Sequence, residues 1–181
     1  MSAMAPVTPV TSSEPVCGRE ANGGVVAGID DIHDDIERRI AQHGWTAIAV
    51  HGDPERNHPS FTYSVAFEET FGTPEVVFIG FEPRLSQSLV AGMAESLKRK
   101  SLILPEQGGR SSGIIADFDV LLRPVDPEIT REIALVALRR AYPDRIRLLQ
   151  VCLPDPGGRL PGEPGCDARY ARIQDPDVFR D

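Results

Sequence analysis

Four polar side chains stand in or beside apolar, strand-like segments, where an unpaired polar group is costly. Glu75 begins a strongly apolar run, and Tyr63 lies among alternating apolar residues. Gln150 interrupts another apolar run, and Asp155 follows that run just before two glycines. A carboxylate with apolar neighbours can serve as a general acid or base, and a tyrosine hydroxyl or an amide can hold a ligand. These four residues are therefore candidates for a ligand-binding site.

Each candidate also has an ordinary structural interpretation. Glu75 could cap the preceding turn or pair with an arginine, and Tyr63 could be a core residue whose hydroxyl bonds to the protein. Asp155 could accept a hydrogen bond from its own backbone in an Asx turn, or it could project with Gln150 into a cleft where the strand ends. The sequence leaves these alternatives open.

Other motifs that could support chemistry are weaker. His51, Asp53 and His58 could hold a divalent metal, but their spacing matches no helical or knuckle motif, and we interpret them as solvated loop residues. The segment 108–113 has three glycines without a Walker lysine or a Rossmann pattern. Three cysteines without CxxC spacing indicate neither a disulfide scaffold nor a zinc knuckle. We therefore predict no metal and no cofactor.

Composition narrows the class of protein. The 181 residues include 19 Lys plus Arg and 27 Asp plus Glu, and the net charge of −8 does not favour binding to nucleic acid or an anionic membrane. No apolar run reaches the length of a membrane helix, and the N-terminal residues do not resemble a secretory signal, so we expect a cytoplasmic protein. Glycine and proline are concentrated in residues 1–28 and 154–165. We predict a flexible extension over 1–28, a single domain over 29–176 and a tail over 177–181.

Hydrophobic periodicity predicts the elements that position these residues. Helices are expected from about residue 30 to His43, from Pro83, where Leu85, Leu89, Met93 and Leu97 would form the buried stripe, and from Pro127. Expected strands cover 45–50, 61–67, 75–81, 114–123 and 147–153. In the second strand Phe61, Tyr63, Val65 and Phe67 would share one face. Short links predict an antiparallel meander of the first three strands. The predicted fold is α+β, with about five mostly antiparallel strands and three helices packed on the sheet.

Several short motifs follow one another in a specific order: Gly44-Trp45, 61–67, 71–77, Gln150, Pro154-Asp155, Gly158, Pro161 and 174–176. As a set they resemble the bacterial family called domain of unknown function 4262, over roughly Ile32 to Pro176. The resemblance implies a cytoplasmic bacterial domain with no established reaction, and it adds Gln174 to the candidate site residues. This chain departs from the family at four positions, where Gly, His, Trp and Phe are usual: Ala66, Thr73, Leu153 and Leu160. A catalytic role for the family's histidine would therefore be lost here.

Three classes of function are compatible with these residues. The first is a binding or accessory protein that holds a small molecule or peptide between the sheet and the C-terminal loop. The second is a metal-independent enzyme with Glu75 or Asp155 as general base and Tyr63 as donor. The third is a protein–protein regulatory or immunity-type module. We favour the first class, and the sequence predicts no oligomeric state.

Overall fold

The computed structural model describes residues 29–140 and 146–180, so the predicted extension over 1–28 lies outside the described residues. Six strands, six α-helices and one short 3-10 helix occur in these ranges. In chain order they are α1 (Ile29–His43), β1 (Thr46–Val50), β2 (Phe61–Val65), α2 (Phe67–Phe71), β3 (Glu75–Ile79), α3 (Pro83–Lys98), β4 (Gly109–Ile115), β5 (Phe118–Pro124), α4 (Pro127–Ile133), α5 (Leu135–Arg140), β6 (Leu148–Cys152), α6 (Ala168–Ile173) and the 3-10 helix (Pro176–Phe179).

The six strands form one sheet in the order β1-β2-β3-β6-β5-β4. Strands β1, β2 and β3 pair antiparallel in sequence, which confirms the predicted meander. Strand β6 then lies parallel to β3, with Val77 opposite Gln150, and antiparallel to β5. The sheet is therefore mostly antiparallel, as predicted, with its one parallel pair among the described strands at the centre.

Both faces of the sheet are covered, and strand β3 shows why. Its residues Val77 and Ile79 belong to a buried cluster with side chains of α1, α4 and α5, whereas Val76 and Phe78 belong to a second cluster with α3. A strand that is apolar on both faces is expected to lie between two layers. The fold therefore has three layers, with the sheet in the middle.

The element counts differ from the predicted five strands and three helices. Strand β4 was expected to be a loop, because its sequence has two glycines and no clean alternation of apolar residues. It nevertheless pairs with β5, with a register irregularity between Ser111 and Ile115. The helix expected after Asp126 is divided at Ala134, whose φ of −99° and ψ of 39° are not helical. Helices α2 and α6 are short, and their single turns carry little periodic signal.

Two predicted faces are also corrected. Strand β2 ends at Val65 because Ala66 adopts φ 75°, so Phe67 enters α2 and packs in the cluster of α3 instead of beside Tyr63. The predicted buried stripe of α3 is confirmed at Met93 and Leu97, and Leu89 is partly buried, but Leu85 is not part of the buried face. Leu85 is 46% exposed, and the buried residues are Ser86, Val90, Met93, Ala94 and Leu97.

The last described residues pack on the domain. Phe179, in the segment assigned to a tail, is buried and contacts the ring of Phe61 with centroids 5.2 Å apart. The backbone of Ile173 lies so close to Gly80 that a side chain at this position would collide with the Ile173 carbonyl group. No helix within 29–140 or 146–180 combines the length and the apolar character that a membrane span requires.

Candidate functional site

The Glu75 carboxylate is enclosed by the turn that joins β2 to α2. It accepts a hydrogen bond from the Ser64 hydroxyl and another from the Glu68 backbone N–H at 3.3 Å, and the N–H groups of Ala66 and Phe67 also face it. Only 4% of the residue is exposed. Burial raises the pKa of Glu75 to about 7, although these hydrogen bonds act in the opposite direction.

These contacts also extend the connection between β2 and β3. The regular pairing of the two strands ends at Tyr63 and Val77. Beyond it, the Ser64 hydroxyl oxygen accepts a hydrogen bond from the Val76 N–H at 2.9 Å and donates to Glu75. A carboxylate in this position does what a turn cap does, because it supplies acceptors for backbone N–H groups that have no strand partner.

Tyr63 lies in the core between the sheet and α5. It is 2% exposed, and its hydroxyl oxygen accepts a hydrogen bond from the Val136 N–H at 3.4 Å. Burial raises the pKa of the Tyr63 hydroxyl. Its ring stacks on Phe61 with centroids 6.2 Å apart. The side chain therefore has the surroundings of a core tyrosine with a satisfied hydroxyl.

Gln150 and Gln174 are the only two of the five candidates that the described contacts bring together. The Gln150 amide donates to the Gln174 carbonyl oxygen and accepts from the Arg123 guanidinium at 3.0 Å. The Gln174 side chain bonds to both backbone groups of Leu153: its oxygen accepts from the N–H at 2.7 Å and its nitrogen donates to the carbonyl at 3.0 Å. Gln174 thus pairs with the residue after β6 as a neighbouring strand would.

Asp155 organises the loop that follows β6. One carboxylate oxygen accepts from the N–H groups of Gly157 at 2.8 Å and Arg159 at 2.9 Å, and the other accepts from the Asp167 N–H at 2.9 Å. The Arg159 N–H, followed by the Asp167 N–H, holds the pKa of Asp155 below its usual value. The bond to Gly157 is the Asx turn that the sequence suggested as one alternative.

The five residues do not share a cleft. Glu75 is in register with Leu148 at the beginning of β6, whereas Asp155 lies beyond its end. Tyr63 and Gln150 are both partners of Val77, on opposite sides of β3. Each of the five side chains is hydrogen-bonded to the protein itself.

A cleft of about 860 Å³ lies elsewhere, where the C-terminal ends of α1, α2 and α3 meet the segment 102–104. Apolar surface makes up the larger part of its lining, and polar side chains make up the rest. The apolar side chains are Trp45, Phe71, Ala94, Leu97, Leu102, Ile103 and Leu104, and the polar ones are Gln42, His43, Thr70, Thr73, Glu95, Lys98 and Lys100. None of the five candidates lines it.

Several details of this cleft set it apart from an ordinary surface depression. Leu102 and Leu104 are buried, but Ile103 between them is 83% exposed. Trp45 is held by an edge contact with Phe67, with ring centroids 5.7 Å apart. The Thr73 hydroxyl oxygen is buried without a hydrogen-bond partner among the described residues. This cleft was not predicted from the sequence, although the lysines at the end of α3 and the apolar residues 102–104 that follow them can be recognised there.

Metal-binding groups are not brought together in the described part of the chain. Across 29–140 and 146–180, no three or more His, Cys, Asp or Glu side chains are placed to hold a metal ion. Asp53 and His58 instead form a backbone bridge, and the Asp53 carboxylate accepts from the Glu55 N–H at 3.0 Å.

Comparison with known proteins gave one match to a family model. The model described as Domain of unknown function (DUF4262) matches residues 39–167, more than two thirds of the chain. The matched region contains every residue that lines the cleft, whereas Gln174 lies outside it. No curated protein and no solved structure matches the chain.

Proposed function

The chain belongs to the family of the Domain of unknown function (DUF4262), and because that description names no reaction, we propose from the geometry that it is a binding protein for a small molecule. The ligand would lie in the cleft between the C-terminal ends of α1, α2 and α3. The observation that carries this proposal is the cleft itself, whose volume of about 860 Å³ and apolar walls suit a small organic ligand.

This proposal moves the ligand away from the space between the sheet and the C-terminal loop. The polar groups in that region, Gln150, Gln174 and Asp155, already bond to the protein and offer few free donors or acceptors. The cleft, by contrast, has an exposed apolar side chain at Ile103. Binding of a ligand that covers exposed apolar surface in a cleft is favourable, because it removes that surface from water.

The two other classes of function have less support. A carboxylate with a pKa near 7 suits acid–base chemistry, but Glu75 is 4% exposed and lines no described cleft. A protein–protein module is favoured by a contiguous apolar patch. The large apolar side chains exposed within the described ranges belong to separate elements: Ile32, Leu85, Ile103, Phe118, Leu135 and Ile173.

The neutral fluorescent probe phenylnaphthylamine tests the proposal. We expect saturable binding to the native protein and a loss of affinity of about tenfold in Ile103→Asp, since a charged side chain would replace an apolar wall. Ile103 is 83% exposed, so the variant is expected to fold. Ile32→Asp is the matched control, because Ile32 is 52% exposed on α1 and does not line the cleft. Absence of saturable binding, or equal binding by both variants, would refute the proposal.

A further inference from the structure

We infer that the ligand of this cleft is an amphipathic anion, with its apolar body against the walls and its carboxylate, sulfonate or phosphate group at Lys98 and Lys100. This inference rests on the proposed function and names the ligand's chemistry. Its basis is the placement of the chain's lysines, the conformation of one of them, and the balance of charge around the cleft.

Lysine is used in only one place in this chain. Of the 19 basic residues, 17 are arginines, and the two lysines both line the cleft. Eight of the arginines form ion pairs with carboxylates, whereas neither lysine does so in the part of the chain that the structure describes. Two unpaired ammonium groups on flexible stems can converge on a rounded oxyanion and donate to several of its oxygens.

Lys100 also occupies a position that favours glycine. Helix α3 ends in a Schellman motif, in which the Lys100 N–H bonds to the Leu97 carbonyl and the Ser101 N–H bonds to the Ser96 carbonyl, both at 2.9 Å. The residue that follows the helix cap in this motif is left-handed and usually glycine, and Lys100 adopts φ 56°. The side chain is therefore present despite a backbone penalty, which is expected when the side chain itself has a task.

Among the lining side chains, the formal positive charges of Lys98 and Lys100 outnumber the negative charges. Glu95 contributes one formal negative charge to the lining. The C-terminal ends of the three helices add partial negative charge, which the two ammonium groups must also offset. Because the whole protein carries a charge of −8, an anionic ligand needs a local positive site to approach it. Lys98 and Lys100 supply one beside the apolar walls.

A pair of probes that differ by one sulfonate group separates this inference from the proposed function. Anilinonaphthalene sulfonate carries the same rings as phenylnaphthylamine plus one sulfonate. We expect the native protein to bind the sulfonate about tenfold more tightly than the neutral probe at low salt, from two partly exposed charge contacts. The preference should shrink as salt is added.

Charge variants locate the effect. In Lys98→Gln with Lys100→Gln, the preference for the sulfonate should disappear while the affinity for the neutral probe stays within about twofold. The control Arg84→Gln with Arg131→Gln removes the same charge from exposed positions outside the cleft and should keep the preference. Glu95→Gln should strengthen the preference for the sulfonate over the neutral probe, because it removes a negative charge from the lining. Lys100→Gly should weaken sulfonate binding and raise the melting temperature, since glycine relieves the left-handed backbone.

The outcomes are distinguishable. If neither probe binds saturably, the proposed function fails. If the neutral probe binds but the sulfonate binds no more tightly, or if the double lysine variant retains the preference, the inference is overturned and the proposed function stands. An equal loss of both probes in the double lysine variant would also overturn it, because the lysines would then support the cleft's shape instead of recognising charge.

Discussion

The buried carboxylate of Glu75 predicts a specific dependence of stability on pH. In the native protein the carboxyl lies 4% exposed between Ser64 and the first N–H groups of α2, whereas in the unfolded chain it is in water. Burial raises its pKa from the usual 4.5 to about 7. The native state therefore holds a proton at this site over a range of pH in which the unfolded state has lost it.

The sign and size of the effect follow from that difference. Below pH 4.5 both states are protonated, and Glu75 makes no pH-dependent contribution to stability. Between pH 4.5 and 7 the unfolded state gains from ionisation that the native state resists, so stability falls as pH rises. Above pH 7 the loss is complete and amounts to about 3 kcal/mol, at about 1.4 kcal/mol per pKa unit.

Glu75→Gln removes this titration while keeping a side chain of the same shape. Its amide oxygen can accept from the backbone N–H groups, and its nitrogen can donate to the Ser64 hydroxyl. We expect the free energy of unfolding of the variant, relative to the native chain, to rise between pH 4.5 and 7 and to level off about 3 kcal/mol higher.

Urea denaturation followed by circular dichroism at a series of pH values measures this difference directly. Glu132→Gln is the matched control, because it makes the same change on the exposed surface of α4. The control difference should not vary by more than about 0.5 kcal/mol across the range. A flat difference for Glu75→Gln, or one that falls as pH rises, would refute the reasoning, since the carboxyl would then be ionised in the native fold without penalty.

Two further substitutions test the backbone geometry around the sheet. Ala66→Gly should stabilise the protein by about 1 kcal/mol in urea denaturation, because Ala66 has φ 75°. The control is the same change at Ala137 inside α5, which should destabilise the protein. Destabilisation by Ala66→Gly would contradict the left-handed turn. Gln174→Ala should destabilise by about 2–4 kcal/mol, because both backbone groups of Leu153 lose their partner, and it should leave probe binding unchanged. A loss of less than about 1 kcal/mol would show that Gln174 is dispensable.

The centre of the fold could be predicted because its signal is local. The run from Glu75 to Ile79 is apolar on both faces, and the structure places it between two layers of helices, as expected for a central strand. The short links among the first three strands likewise predicted the meander. Both inferences depend only on residues that are close in sequence, so no tertiary information was needed.

The points that were missed depend on tertiary context or on a single backbone angle. Ala66 has no residue-type signal for φ 75°, so the alternation that ends at Val65 was extended to Phe67. Strand β4 is stabilised by its pairing with β5. Its glycine-rich sequence alone does not predict a strand.

The contacts of the candidate site residues likewise depend on tertiary structure and could not be predicted from the sequence. Polar residues in apolar strands proved to be hydrogen-bonded to backbone and side chains that only the fold brings to them, as Gln174 is to Leu153. The cleft is assembled from the ends of three helices and the segment 102–104. Its apolar walls come from residues up to 59 positions apart, between Trp45 and Leu104, and no periodic pattern connects them.

The hydrophobic cluster beneath α1 extends beyond the residues that the family model matches. Ile36 precedes the stretch that the family model recognises, Phe179 follows it, and both are buried against the same side of the sheet. A gene fragment cut at the limits of similarity would therefore encode an incomplete hydrophobic core. A truncated protein that keeps this cluster intact would have to include both Ile36 and Phe179.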